Sequence, residues 1–410
     1  MQEDTDITPI GITNFRNVNQ PFGIKDDDRG HIYVLGKSGV GKSTLLKNMA
    51  LSDIRRGNAV CVIDPHSDVA SWLLDFIPAH RINDVIYFNP KDLENPIPFN
   101  PLKAIHPNYH HLVASGIIST FKKVWSDSWG PRMEHILRFS LLTLLQYPQA
   151  TLLDIQRLLT DADFRAIVLP YVTDEHIHRF WKLEFEKYNK TFQMEAVSPI
   201  LNKLGLLTAS LPLRNTLGQK TRGLRLQEIM DGKKILIANL SKGELGEDAS
   251  MLLGCLLITA IQSATLHRAK QDISQRVPFY LYIDEVQSFA TLSFADILAE
   301  AKKYALSLYI THQYIDQLDE RIRTAIFGNV GTMIVFRIGA TDAQYLKYEF
   351  EPVFDTEDMV NLPKYGMYIK LMIDGATSRP FSAYSLPCEA VPEGTKEEVI
   401  KASRSKFGLN

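Results

Sequence analysis

The chain has 410 residues, 45% hydrophobic and 22% charged, with a formal net charge of −2 and three cysteines. This composition excludes a disordered chain and a disulfide scaffold, and the length allows two or three domains around a sizeable core. A near-neutral balance requires any nucleic-acid surface to be local. Cys61, Cys255 and Cys388 are too far apart for a metal-ligand pattern and fit a reducing, cytoplasmic compartment.

The acidic, polar start (MQEDTDIT) predicts no signal peptide. His31–Leu35 (HIYVL) reads as a strand and Ser43–Ala50 as the start of a helix. Between them GKSGVGKS, residues 36–43, is a complete G-x-x-x-x-G-K-[ST] phosphate loop. Gly36, Gly39 and Gly41 permit the turns that aim amide N–H groups inward, around Lys37, Ser38 and Val40. Lys42 is expected to reach the β- and γ-phosphates and Ser43 to ligate Mg²⁺, with Thr44 completing the first turn of a helix whose dipole favours anions. The loop and its flanks predict binding of a nucleoside triphosphate.

Further apolar runs predict strands at 59–64 (AVCVID), 84–89 (DVIYFN), 234–240 (KILIANL), 279–285 (FYLYIDE), 306–312 (LSLYITH) and 332–338 (TMIVFRI). They lack polar alternation, as parallel strands covered on both faces do. The intervening helices predict an α/β core with a mainly parallel sheet. From about His106 to Arg225 the sequence reads only as helices. The predicted plan is a core segment at 1–105, an all-helical insertion at 106–225, a second core segment at 226–390 and a helical tail at 391–410. The longest apolar run, Met251–Ile261, is too short for a bilayer, so no transmembrane segment is expected.

The strand at 279–285 ends in Asp284-Glu285. Asp284 is expected in the Mg²⁺ shell, with Glu285 orienting and deprotonating water. The next strand ends Thr311-His312-Gln313, which places Gln313 at the ligand edge of a parallel sheet as a γ-phosphate sensor. Asp64-Pro65-His66 closes another strand at the same edge. His66 is open to contact with nucleotide, with a neighbouring subunit, or to a structural role in the turn. The remaining histidines, including His106, His110, His111, His135, His176 and His178, show no pattern that demands a metal. Trp125 and Trp129 read as a packed corner of the helical region.

GKSGVGKS, VIDPHSD (62–68), the helical insertion, LYIDEVQSF (281–289), AEAKKYALSLYITHQY (299–314) and FGNVGTMIVFRIGATDA (327–343) follow one another in an order that resembles the motor domain of the HerA–FtsK superfamily. Within it the pattern is most similar to the coupling ATPases of type IV secretion and conjugation, the TraD/TraG-like proteins, over about Phe15 to Tyr384. The resemblance implies a RecA-like core, ATP and Mg²⁺ at a subunit interface, a homo-hexameric ring, and DNA in a central channel. It carries Lys42, Ser43, Asp284, Glu285 and Gln313 over as the nucleotide, magnesium, catalytic and sensor positions.

Two departures stand out. Where coupling ATPases place an arginine finger, this chain reads Ala301-Lys302-Lys303. A lysine cannot fork across two phosphate oxygens, and a finger can contribute about 10³–10⁵ in rate. Arg337 and Arg214 are the other candidates, each equally open to a structural ion pair. The second departure is the missing N-terminal membrane region usual in conjugative couplers.

From Ala196 to Gln227 there is no acidic residue, while Lys203, Arg214, Lys220, Arg222 and Arg225 make the run basic. Repeated around a ring it is a candidate phosphate-contacting lining, although a solvated loop has the same composition. The expected activity is ATP-driven DNA translocation with secretion or DNA-processing partners. The alternatives are a nucleotide-binding ring scaffold that regulates a nuclease or another effector, and a protein-secretion ATPase.

Overall fold

Runs of β-branched and aromatic residues form the buried strands that their lack of polar alternation predicts. The computed structural model describes residues 6–14, 19–103, 106–220, 223–388 and 391–409. In chain order the strands are β1 (Ile7–Thr13), β2 (Pro21–Lys25), β3 (His31–Leu35), β4 (Ala59–Asp64), β5 (Val85–Phe88), β6 (Ile235–Asn239), β7 (Phe279–Ile283), β8 (Leu306–His312), β9 (Val330–Val335), β10 (Gly366–Lys370), β11 (Met372–Ile373), β12 (Ala376–Thr377) and β13 (Phe381–Ser385). Eleven make one sheet in the order β2-β1-β13-β10-β9-β3-β8-β7-β4-β6-β5, and β11 with β12 forms a separate hairpin.

From β9 to β5 every pairing is parallel. From β9 outward through β10, β13, β1 and β2 every pairing is antiparallel. The sheet is therefore the expected parallel core with an antiparallel wing that the sequence reading did not anticipate. The inner strands β3, β4, β6 and β7 are buried along their whole length. Helix α1 (Lys42–Arg55) lays Leu45, Leu46, Met49 and Ile54 into the same apolar cluster as Ile32, Val34, Val60 and Val62. Truncating one such leucine to alanine costs about 2–5 kcal/mol.

A polar knot is buried beside this core. Arg29 Nη1 donates to Asp53 Oδ1 at 2.6 Å and to Thr8 Oγ1 at 2.8 Å, and its guanidinium lies 3.9 Å from the centre of the Tyr280 ring. Tyr282 joins both Arg29 and Asp53 through its hydroxyl. Arg56 adds a second cation to Asp53 at 2.8 Å. Burying these charges is tolerable because each finds an opposite charge or a hydrogen-bond partner.

The chain divides into two units. The first comprises Met1–Phe88, Gln227–Ser241 and Thr265–Ser403 and holds the whole sheet. The second comprises Asn89–Leu226, Lys242–Ala264 and Arg404–Asn410, and among its described residues there is no strand. The predicted plan counted Lys242–Ala264 with the second core segment. A close approach explains its place among the helices: a Cβ on Gly116, within helix His110–Val124, would come 2.4 Å from Thr259 Cγ2. Trp181 is fully buried in this unit and donates its indole N–H to Thr143 Oγ1 at 2.8 Å. Trp129 donates to Glu134 Oε2 at 2.9 Å, and the Trp125 ring packs 5.0 Å from Phe121.

Met251–Ile261 lies in a longer helix than the apolar run alone suggests. Glu247–Lys270 is long and apolar enough to cross a membrane by length and composition, but most of it is buried inside the fold. That burial is the signature of a core helix. Cys61 and Cys255 are buried and Cys388 is exposed, and none of the three forms a disulfide.

Candidate active site

Parallel strands deliver their carboxyl ends to one edge of the sheet, where α/β folds bind ligands. At that edge β3 runs into the phosphate loop. The Gly36 amide donates to His312 O at 3.2 Å and the Lys37 amide to Arg337 O at 2.9 Å, so the loop is pinned between the exits of β8 and β9. Gly39 and Gly41 take φ of 76° and 129°. At Gly41 a Cβ would also come within 2.9 Å of Tyr365 Cδ1, so only glycine fits. Lys37, Ser38 and Gly39 are exposed at the tip, Val40 is buried, Ser43 is exposed and Thr44 is half-buried. Lys42 is buried, and its Nζ donates to Gly36 O at 2.6 Å and Lys37 O at 2.9 Å. Burial lowers its pKa, and the charges of Asp284 and Glu285 oppose that shift.

Strand register brings the other groups level. Ile283 pairs with Ile310 and with Ile63, so the next residue on each strand, Asp284, Thr311 and Asp64, stands in one row. The Thr311 hydroxyl donates to Asp284 Oδ1 and accepts the Glu285 amide at 3.0 Å. Asp284 is buried, which raises its pKa; the Thr311 bond opposes this, and Asp64 and Glu285 add to it. Glu285 sits at φ 52° in the left-handed region, a conformation that costs a non-glycine residue about 1–3 kcal/mol. Gln313 Nε2 donates to Glu285 Oε1 at 2.6 Å, and His66 Nε2 lies 2.9 Å from Glu285 Oε2. That bond raises the His66 pKa against the effect of partial burial.

Asp64 shapes the loop that carries His66. Its Oδ1 accepts the His66 amide, and its Oδ2 accepts the Val69 and Ala70 amides, all at 2.8 Å. The carboxylate thus caps helix α2 (Asp68–Leu74) and fixes the turn before it. Sequence reasoning gave no role to Asp64 or Thr311. Their signal was position alone, at the ends of β4 and β8.

Lys42, Asp284, Glu285 and Gln313 therefore meet at one edge. Arg337, also at this edge, has an exposed side chain beside its own phosphate loop. Lys302 and Lys303 precede β8 and so lie at the opposite edge, where Lys302 packs over Gly30. Arg214 is exposed in the helical unit, with a 3.4 Å bond to Thr208 O. Lys203 reaches Ser128, while Lys220 and Arg225 are exposed. Arg222 lies outside the described residues. His135 has a carboxylate neighbour after all, Glu184 at 3.0 Å, but among the described residues no three His, Cys, Asp or Glu side chains form a metal cluster.

The fold and this edge define a RecA-like P-loop ATPase. The chain belongs to the family described as the type IV secretion-system coupling protein DNA-binding domain, whose model matches residues 20–350. Among solved structures it is similar to the bacterial conjugative coupling protein TrwBΔN70, with 15% identity, a TM-score of 0.66, and coverage of 94% of this chain and 90% of that one. TrwB in complex with ADP and Mg²⁺ matches at 15% identity and TM-score 0.67, over 94% and 92% of the two chains. VirB4 of Thermoanaerobacter pseudethanolicus matches at 15% identity and TM-score 0.62, over 96% and 99%. No curated protein sequence matches the chain.

Proposed function

We propose that this chain is an ATP-hydrolysing motor that moves DNA, a coupling ATPase of conjugative or type IV secretion-type transfer. The observation that carries the proposal is the convergence of Lys42, Asp284, Glu285 and Gln313 at one sheet edge, with Gln313 bonded to Glu285. Family membership supports the DNA and the transfer, and TrwB, solved with ADPNP and with ADP and Mg²⁺, supports the nucleotide.

The site suits a hydrated divalent cation shared with phosphate. Thr311 holds Asp284 Oδ1, while Oδ2 carries no hydrogen bond among the described residues. Mg²⁺ prefers such a site, with one or two protein oxygens and the rest from water and phosphate. Asp284 and Ser43 would hold it, and when bound it neutralises charge on the phosphates. Lys42 exchanges its two loop carbonyls for phosphate oxygens. Glu285 orients water and takes its proton, and Gln313 links the state of Glu285 to β8.

Lys203, Lys220, Arg222 and Arg225 are the proposed DNA contacts, and a hexameric ring would repeat them around a channel. Phosphate contact without base readout suits a motor that must accept any sequence. For the finger, Arg337 stands beside its own phosphate loop, whereas Lys302, Lys303 and Arg214 would have to act on a neighbouring subunit. The reading places the protein in the cytoplasm, at the inner membrane through partner proteins. The absence of arginine at 301–303 favours one second reading, a nucleotide-gated ring scaffold that regulates an effector. Phosphate release measured with and without DNA separates the two: the motor is stimulated and the scaffold is not.

A further inference from the structure

His66 is presented to Glu285 by a loop built for the purpose. Asp64 spends three hydrogen bonds on the backbone of that loop, and Ser67 accepts a left-handed φ of 73° within it. Asn239, from β6, ties Ser67 Oγ at 2.9 Å. None of these bonds uses the His66 ring. The ring's contact is Glu285 Oε2, on the opposite side of the carboxylate from the oxygen that Gln313 holds. The Glu285 side chain is 13% exposed and the His66 side chain 45%, so the contact forms where the carboxylate is already largely withdrawn from solvent. A general base works only when its orientation is fixed, and here donors from loops after β4 and β8 grip the two oxygens from either side.

We propose that His66 is a positioning residue for hydrolysis, clamping Glu285 together with Gln313; this rests on the hydrolytic reading above. The clamp acts on the base and not on the phosphate loop, so it affects the rate of the chemical step and leaves nucleotide affinity alone.

The test is steady-state ATP turnover of wild type, His66→Ala, His66→Gln and His66→Asn in the full chain, with affinity for a fluorescent ATP analogue measured alongside. Misplacing a catalytic group by about 1 Å can cost 100-fold. His66→Ala is expected to lower kcat about 10–100-fold at unchanged KM and unchanged analogue affinity. Glutamine places an amide N–H near the position of Nε2 and is expected to recover most of the rate; asparagine is too short and is expected to behave like alanine. The asparagine variant keeps a polar side chain in the loop and serves if the alanine variant fails to fold. Turnover of His66→Ala or His66→Asn within twofold of wild type overturns the proposal. So does a raised KM at constant kcat, or a loss that glutamine does not repair. A wild type without turnover on any DNA overturns the hydrolytic reading itself, which distinguishes the two failures.

Discussion

Thr311 donates its hydroxyl to the buried carboxylate of Asp284 on the neighbouring strand, and the same oxygen accepts the amide of the following residue, Glu285. One hydroxyl thus fixes both acidic positions. Thr311→Val keeps the shape and leaves a buried carboxylate oxygen and an amide unpaired. At about 1–3 kcal/mol for each of the two unsatisfied groups, a stability loss of roughly 2–6 kcal/mol is expected, with a fall in turnover. Thr311→Ser should retain both. Urea midpoints and phosphate release check this.

Lys42 is held buried by two carbonyls of its own loop, and this burial disfavours its charged form and lowers its pKa, against the charges of Asp284 and Glu285. At neutral pH the charged form bears that penalty, and a neutral side chain of similar length does not. Lys42→Met is therefore expected to raise Tm of the nucleotide-free protein while abolishing binding of an ATP analogue. Thermal unfolding and fluorescence titration on the same sample test the opposition.

Arg29 and Asp53 form a buried pair with side-chain exposures of 2% and 0%. Removing one partner strands the other charge, and Asp53→Leu is expected to cost about 3–5 kcal/mol. Arg29→Met with Asp53→Leu removes both charges and should be less destabilised than Asp53→Leu alone. Equilibrium denaturation of the two variants decides it.

His31 and His312 are buried, and burial pushes each pKa down to about 4, with the Lys42 charge adding to the effect at His312. The His31 ring accepts the Leu308 amide and pairs with Leu298 O, both at 3.1 Å, which fits a neutral imidazole. Both groups bind protons more readily when unfolded, where the pKa is 6.5. Their contribution to stability is complete above pH 6.5, is lost as pH falls toward about 4, and changes no further below that. His31→Gln should flatten stability against pH in that window, measured by urea denaturation from pH 7 to 4.

The parallel strands were legible because burial on both faces writes an unbroken apolar run, as in HIYVL at β3. The antiparallel wing was not, because β1, β2 and β10 are broken by Pro9, Gly11, Pro21, Gly23 and Gly366, and β13 is only half buried. The gathering of Lys42, Asp284, Glu285 and Gln313 at one sheet edge could be expected from motif and strand end. The Thr311–Asp284 and His66–Glu285 contacts depend on β8 and β4 flanking β7, and strand order is not written in any local pattern. The Arg29–Asp53 pair was hidden for the same reason, since its partners come from separate segments.

The central claim is that DNA-coupled ATP hydrolysis runs through Glu285. It is tested most directly by steady-state phosphate release without DNA, with single-stranded DNA and with double-stranded DNA, using Glu285→Gln as the control. The account predicts turnover that one or both DNA forms stimulate and that disappears in the variant while ATP-analogue binding persists. Tight nucleotide binding with no hydrolysis on either DNA, or hydrolysis that survives Glu285→Gln, would contradict it.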